Sequence, residues 1–219
     1  MAITSIGIGN AWNEKLLLQI AERSHGNSHW IQNPIAILDA FRQEVDGMQD
    51  VAATNLTITG SMSAGVRPVK VYITAPMIAD ISSRTINGGT IRADLGSLDA
   101  KTGQKVLIEA RVPAQKAGPF RLGQAEIGYD VPSAGIAGQS IKSDLNVAFA
   151  ANAADAAKVN AEVMNLVEKV TAFKLQTRAL TEAGAGNIAA ATRQFQAAAT
   201  VLLDLGEDDL GDAVEREIV

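Results

Sequence analysis

The spacing of hydrophobic residues changes twice along the chain, and each spacing predicts a different class of structure. Residues 1–50 combine short apolar runs with helical periodicity, which is typical of strands covered by helices on both faces. In residues 51–150 apolar and polar positions alternate, as in the half-buried strands of an antiparallel sheet. In residues 151–219 apolar positions recur every three or four residues, as in amphipathic helices. We therefore predict an α+β protein of three domains with these boundaries.

The first region predicts the order strand, helix, strand, helix. The run ITSIGIG predicts a short buried strand; Asn10 and Asn13 offer N-caps to the next helix, and Gly26 ends it. Residues 28–31 predict a second strand, after which Asn33-Pro34 supplies a cap and a proline at the first helical position. Strands and helices in this order form the end of a doubly wound α/β domain.

The second region predicts an antiparallel β-sandwich of about 100 residues. Its strands are predicted from RPVKVYITAP, KVLIEARVP and FRLGQAEIGYD, the last of which supplies a further pair of strands. In KVLIEARVP, Val106 and Ile108 share one face while Leu107 and Glu109 share the other, and the pattern leaves open which face meets the core. Turn signals separate the strands at Asn87-Gly88-Gly89, Asp99 to Gly103 and Gly118-Pro119.

The third region predicts a helical hairpin and then a short last helix. No glycine or proline interrupts the segment from Ala153 to Gly184, and the sequence GAGN at 184–187 ends that helix and caps the next. Gly206 ends the second helix, and acidic residues then begin the last one. One hairpin cannot form a solenoid alone, so it must pack on the sandwich, on a partner or on another copy.

Composition and charge exclude several classes of function. The 219-residue chain has a net charge of −5, so it lacks the overall positive field that binds nucleic acid or anionic lipid. The absence of cysteine excludes disulfides, thiolate metal sites and a thiol nucleophile, and it favours a cytoplasmic location. No stretch approaches the roughly 20 apolar residues of a membrane span. We expect neither a nucleic-acid partner nor a membrane partner.

The first region resembles the end of a known domain. The segment IGIGNAWNEKLLLQIAERSHGNSHWIQNPIAILDAFRQEV resembles the last strands and helices of a von Willebrand factor A (vWA) domain. The later segments LGSLDAKTGQKVLIEARVP, FRLGQAEIGYDVP, VMNLVEKVTAFKLQTRAL and AATRQFQAAATVLLDLGE are similar to the regions C-terminal to that domain in bacterial multidomain vWA proteins. The resemblance implies a protein that binds other proteins.

In that family a divalent ion, usually Mg²⁺, is held by D-x-S-x-S together with a Thr and an Asp, and it binds a carboxylate of the partner. None of these ligands can be assigned here, because the segment begins after the position of the last one. The nearest string, Asp80-Ile81-Ser82-Ser83-Arg84, has the wrong spacing. We expect a fragment that begins inside the domain, with no cofactor of its own and with Mg²⁺ only if the upstream segment is present.

What remains of a ligand site is the rim at the carboxyl end of the first strand. Open α/β sheets bind ligands on that side, and Asn10, Trp12 and Asn13 come directly after the strand. The sequence leaves two interpretations of Trp12 and Trp30 open. They form a recognition pair for a partner, or they pack beneath the rest of the vWA domain.

Three further motifs favour structural explanations over functional ones. Gly7-Ile8-Gly9 resembles the start of a dinucleotide fingerprint, but Trp12 stands where that motif needs glycine. His25 and His29 have the spacing of a helical zinc pair, but Gly26 interrupts the helix. The acidic residues 207–212 lack the alternating spacing of a calcium loop. No arrangement for acid–base or nucleophilic catalysis stands out, so we expect no enzyme.

These patterns favour a non-enzymatic scaffold that binds a protein partner. The alternative is a self-sufficient assembly module of residues 51–219, which forms a homo-oligomer through the long helix near Val163 to Phe173.

Overall fold

The computed structural model describes residues 3–9, 12–24, 26–31, 37–42 and 51–215. In chain order its strands are β1 (Ser5–Ile8), β2 (Ser28–Ile31), β3 (Val51–Met62), β4 (Arg67–Ala75), β5 (Ala79–Asp80), β6 (Ile86–Asn87), β7 (Thr90–Asp99), β8 (Lys105–Arg111), β9 (Gly118–Val131) and β10 (Ile136–Phe149). The helices are α1 (Glu14–Ser24), α2 (described at 37–42), α3 (Ser82–Thr85), α4 (Ala153–Ala156), α5 (Ala161–Gly184), α6 (Ile188–Asp204) and α7 (Asp208–Glu215).

The N-terminal unit contains the predicted strand, helix and second strand. Strands β1 and β2 are parallel, with Ser5 opposite Ser28 and Ile8 opposite Ile31. Helix α1 crosses between them, and the Ser5 hydroxyl donates to the Leu17 carbonyl at 2.9 Å. Gly26 follows the end of α1 and lies against the backbone of Ile3. A Cβ at Gly26 would lie 2.2 Å from the Ile3 carbonyl oxygen, so a side chain does not fit there. The predicted cap at Asn33-Pro34 lies outside the described residues.

Residues 51–149 form two antiparallel sheets that share one apolar core. The five-stranded sheet has the order β10-β9-β3-β7-β6, and the three-stranded sheet has the order β5-β4-β8. The core between them is formed by Leu56, Ile58, Val71, Ala79, Ile81, Ile91, Ala93 and Leu95. Val106 and Ile108 of β8 pack against this core, which settles the face that the sequence left open.

Two details of this region differ from the sequence prediction. FRLGQAEIGYD lies within the single strand β9, not in a pair of strands, and the predicted turn at Gly118-Pro119 is the beginning of that strand. The partner of β9 is β10, a strand of 14 residues that the pattern did not predict. Small and polar residues occupy much of IAGQSIKSDLNVAF, and an edge strand that is exposed on most positions has no strict apolar alternation to detect.

Helix α5 covers the outer face of the three-stranded sheet. Because Val71 and Ile73 of β4 face the core, the alternate residues Tyr72 and Thr74 face outward, yet both are buried. The Lys174 ammonium of α5 lies 5.1 Å from the centre of the Tyr72 ring, in a cation–π arrangement. Lys105 of β8 also pairs with Glu162 of α5 at 2.9 Å. The C-terminal helices are thereby joined to the sheets.

The helices after residue 150 pack through small side chains. The long predicted helix is interrupted: α4 ends at Ala156, and a separate helix α5 begins at Ala161 with Asn160 as its N-cap. The seam between α5, α6 and α7 is formed by Ala172, Ala179, Phe195, Ala198, Ala199, Leu202 and Val214. At Gly211 a Cβ would lie 2.7 Å from Leu203, so glycine permits the close approach of α7. Within the described ranges, no helix is both long and apolar enough to cross a membrane.

We predict that the shared core dominates the stability of residues 51–149. Ile91 is fully buried, so Ile91→Ala should lower the free energy of unfolding by about 2–5 kcal/mol, since it removes buried methylenes and leaves a cavity. Ile136→Ala is the control, because its side chain is 43% exposed, and it should change stability by about 0.5 kcal/mol or less. Urea unfolding followed by circular dichroism measures both. Equal effects of the two variants would contradict the assigned core.

Candidate functional site

The end of β1 is organised around a glycine and a tryptophan. A Cβ at Gly7 would lie 2.4 Å from Cδ2 of Trp12, so the indole lies directly against the strand backbone. Trp12 is half-buried by this contact. Gly7 is therefore explained by the indole that packs on it, and Gly9 by its φ of +74°, so no phosphate-binding turn is needed to explain the G-I-G run.

Asn13 has a structural role beside Trp12. Its side-chain oxygen Oδ1 accepts a hydrogen bond from the Leu16 N–H at 3.0 Å, and its carbonyl accepts one from Leu17 at 3.2 Å. It is the N-cap of α1, as the sequence predicted. Asn10, the third predicted rim residue, lies outside the described residues.

Trp30 presents the more accessible indole at this rim. It lies opposite Gly7 in the parallel ladder, and its Nε1–H donates to the Gly9 carbonyl at 2.9 Å. The residue is nevertheless 57% exposed. The two tryptophans therefore have different positions. The indole of Trp12 packs on β1. The indole of Trp30 donates a hydrogen bond to Gly9, just after β1, and remains largely exposed to solvent.

One edge of β1 is open within the described part of the chain. There β1 pairs with β2 alone. Ser5 and Gly9 donate their amides to Asn27 and Ile31 along the β2 side. Alternate residues of a parallel strand direct their amides to the same neighbour, so the amides of Ile6 and Ile8 point to the opposite edge.

Several large apolar side chains of the described N-terminal residues are exposed. Ile8 at the end of β1 is 49% exposed, although strands of this kind are normally buried on both faces. The other exposed large apolar residues of the N-terminal unit are Ile3, Leu16, Trp30, Leu38 and Phe41. Exposed apolar side chains in this number are typical of surfaces that another structural element covers.

The string Asp80-Ile81-Ser82 does not fit a Mg²⁺ site. The Asp80 carboxylate pairs with the Lys70 ammonium at 2.7 Å, and it accepts hydrogen bonds from the backbone and the hydroxyl of Ser82. Ser82 in turn accepts from the Val71 N–H at 3.0 Å. Burial acts to raise the Asp80 pKa, but the hydrogen bonds from Lys70 and Ser82 outweigh it and hold that pKa below its usual value. These groups fasten β5 and α3 to β4.

The remaining sequence candidates do not assemble a chemical site. His29 lies in β2, opposite Ile6, so it does not share a helix with residue 25, which lies outside the described residues. Glu207 forms an ion pair with Lys169 and thereby joins the start of α7 to α5. Across residues 3–215, wherever the structure describes them, no three His, Asp or Glu side chains are grouped so as to hold a metal ion.

A shallow depression lies between α5 and α6. It is lined by Thr177, Arg178, Thr181, Glu182 and Gln194. The Thr177 hydroxyl donates to the Phe173 carbonyl at 2.9 Å, and the Thr181 hydroxyl donates to the Thr177 carbonyl at 2.9 Å. Both hydroxyls are therefore bonded to their own helix. The Oε1 of Gln194 is buried without a hydrogen-bond partner among the described residues, but a single amide oxygen does not define a ligand. The rim and open edge of β1 are therefore the candidate site.

Comparison with known proteins agrees with the architecture of the chain. Residues 161–219 match the family model described as the Sll0103-like, C-terminal alpha-helical domain. The chain is 27% identical over 137 residues to the uncharacterized protein sll0103 of Synechocystis sp., covering 62% of this chain and 33% of that protein.

A solved structure is similar over nearly the whole chain. It is a von Willebrand factor type A protein from Catenulispora acidiphila, matched with a TM-score of 0.83 at 18% identity over 97% of this chain and 50% of that one. The chain therefore has a mixed α+β, vWA-like fold with a C-terminal helical domain. It spans about a third and a half, respectively, of the lengths of these two proteins.

We predict that Gly7 is required by Trp12. Gly7→Ala should lower the stability of the N-terminal unit by about 1–3 kcal/mol, because the methyl group and the indole cannot occupy the same space. In a Trp30→Phe background the emission of the remaining tryptophan should shift to the red as Trp12 is displaced. Gly89→Ala is the control, since a Cβ there has no atom within 4 Å. Identical spectra for the two variants would contradict the packing.

We also predict a pH-dependent contribution from Asp80. Its folded-state pKa lies below the usual 3.8, so its stabilisation is present above that value and is lost as pH falls through the folded-state pKa. Asp80→Asn should therefore destabilise the protein at neutral pH, and the difference from the unmodified protein should shrink as pH falls from neutral through the folded-state pKa. Urea midpoints measured across this range test it. A constant difference at all pH values would show that the carboxylate charge contributes nothing.

Proposed function

We propose that this chain acts as a non-enzymatic scaffold for protein–protein interaction and forms the C-terminal part of a longer bacterial vWA protein. The observation that supports this most strongly is the open edge of β1. A parallel strand of mostly apolar sequence has the character of an interior strand, whereas its described neighbour β2 supplies only one side and leaves the amides of Ile6 and Ile8 facing the other. The proposal places further strands of the vWA sheet beyond that edge.

Each region has a part in this proposal. Residues 1–50 close the vWA domain, the two sheets of residues 51–150 act as a β-sandwich, and residues 151–219 act as a helical hairpin with a short last helix. The contact of Lys174 with Tyr72 and the pair of Lys105 with Glu162 favour a rigid connection between hairpin and sandwich. A rigid connection suits a scaffold, since it would hold the ligand-binding end of a vWA domain at a fixed position.

The proposal places metal-dependent chemistry outside this chain. The donor set described above does not fit Mg²⁺, so a D-x-S-x-S site would belong to sequence preceding the vWA-like segment. At the rim, Asn13 caps α1 and Trp12 packs on Gly7, so both side chains have structural roles. Trp30 is the indole with surface left for a protein partner, and exposed tryptophans are frequent anchors of interfaces.

We predict that Mg²⁺ binds only when the family's metal ligands are supplied. Calorimetric titration of Mg²⁺ into the 219-residue chain should give no saturable heat, because its described carboxylates are not arranged as a site. A chain extended at its N-terminus by a vWA segment containing D-x-S-x-S should bind Mg²⁺ stoichiometrically. Saturable binding to the 219-residue chain alone, or none to the extended chain, would contradict the proposed metal dependence.

A second candidate function is self-assembly through α5. One observation favours it: the N-terminal half of this helix presents an apolar stripe in which Val163 is 45% exposed, with Met164 and Val167 beside it. Helix faces of this kind pair with other helices. Val163→Asp should dissociate such an assembly in light scattering, and an unchanged mass would remove this candidate.

A further inference from the structure

The longest strand at the edge of a described sheet is β10. This strand of 14 residues ends the five-stranded sheet, pairs with β9 on one side and is exposed at most positions. It contains no proline, the residue that most directly blocks pairing at an edge. A long edge of unpaired backbone groups is a template for another strand, and proteins usually shorten, bend or cover such edges.

The sequence of β10 is suited to antiparallel pairing with a second copy of itself. Around Ser143 it runs Ile-Lys-Ser-Asp-Leu, so an antiparallel copy centred on Ser143 places Ile141 opposite Leu145 and Lys142 opposite Asp144. The first pair is apolar and the second has opposite charges. Each pair occurs twice in a symmetric dimer, as a two-fold axis requires.

We propose that β10 binds β10 of a second copy of this chain, antiparallel and with the two-fold axis at Ser143, to form a continuous ten-stranded sheet. The inference goes beyond the proposed function, because it concerns a surface that neither the vWA rim nor the α5 stripe includes.

Both faces of the sheet keep their character across this junction. On the core face, Ile58 of β3 lies opposite Ile127 of β9, which lies opposite Ile141 of β10. The second copy continues that row with Leu145, Gly123 and Met62, which are also opposite one another. Ile141 is 58% exposed in a single copy, and the new neighbour covers part of it.

The opposite face gives a polar row in the same way. Thr59, Glu126 and Lys142 lie opposite one another, and the second copy continues with Asp144, Gln124 and Ser61. Directly opposite side chains are close enough to interact, so matched rows stabilise the pairing of strands.

The charged side chains are already positioned along the edge. Lys142 lies 3.6 Å from Glu126, and Asp144 accepts from Arg121 at 2.5 Å. In the dimer the charges alternate: Glu126 and Lys142 of one copy are followed by Asp144 and Arg121 of the other. The ammonium of Lys142 has three N–H donors. Arg121 and Gln124 both donate to Oδ1 of Asp144, which leaves its Oδ2 for a new partner, so both groups can keep their present partners and gain another.

The charges also favour this register over the registers that are shifted by one residue. Moving the two-fold axis by one residue places Lys142 opposite Lys142, or Asp144 opposite Asp144. Like charges directly opposite one another destabilise a strand pair. The register at Ser143 avoids both, and it centres the pairing on residues 141–145, between the irregularities of β10 that follow Ile136 and Leu145.

The test compares two charge reversals, alone and mixed. Light scattering of the 219-residue chain at about 0.1 mM should give the mass of two 22.9 kDa chains. Lys142→Glu and Asp144→Lys should each weaken the dimer by about tenfold or more, because each creates two like-charged pairs. An equimolar mixture of the variants should recover the dimer. Across that junction the two introduced side chains, which have opposite charges, meet each other, and the unchanged Asp144 meets the unchanged Lys142.

Controls separate this interface from loss of folding and from other surfaces. Lys158→Glu makes the same charge change at an exposed residue far along the chain and should leave the dimer unchanged. Recovery on mixing cannot come from variants that fail to fold. Val163→Asp should leave this dimer intact, so failure of the α5 candidate and of the β10 interface are distinguishable.

A chain that stays monomeric at this concentration would overturn the pairing between copies and leave the edge to a strand of a different polypeptide. A dimer that persists in both variants, or a mixture that stays monomeric, would also overturn it.

Discussion

A β-strand directs half of its backbone N–H and C=O groups to each of its edges, and each of these groups needs a hydrogen-bond partner. Central strands such as β3, which lies between β9 and β7, meet this requirement inside the sheet. Strands at the edges of the sheets, β1 and β10 among them, meet it on one side only among the described residues. The open edges of these two strands differ in character. The edge of β1 is short and parallel, whereas that of β10 is long, antiparallel and bordered by charges.

Strand β4, which lies in the sequence between β1 and β10, is buried on both of its faces. Val71 of β4 faces the core shared with the five-stranded sheet, and Tyr72 faces α5. Burial of both faces couples the sheets to the helices, because neither face can be exposed without loss of apolar burial. This arrangement connects the two sheets of residues 51–149 to the C-terminal helices, as the scaffold proposal requires.

Sequence periodicity predicted what depends on local chemistry. The cap at Asn13, the turn at Asn87-Gly88-Gly89 and the order of strands and helices depend on short-range rules and are present in the structure. Periodicity failed for β10, because an edge strand has few buried positions to mark its alternation. It also missed the interruption between α4 and α5, where alanine-rich sequence favours a helix through residues 157–160.

The candidate site was only partly predictable for a similar reason. The rim residues were identified from their position after a buried strand, but their roles depend on contacts between distant residues. The indole of Trp12 lies on Gly7, and that of Trp30 binds the Gly9 carbonyl across the ladder. A tryptophan near a glycine-rich strand does not reveal from sequence which of the two rings remains exposed.

The measurement that tests the central claim most directly is amide hydrogen exchange along β1 in the 219-residue chain, resolved by NMR. The account predicts that the amides of Ile6 and Ile8, which face the open edge, exchange markedly faster than those of Ser5 and Gly9, which donate to β2. Equal protection of the two sets would contradict it, because the second edge of β1 would then be covered within this chain.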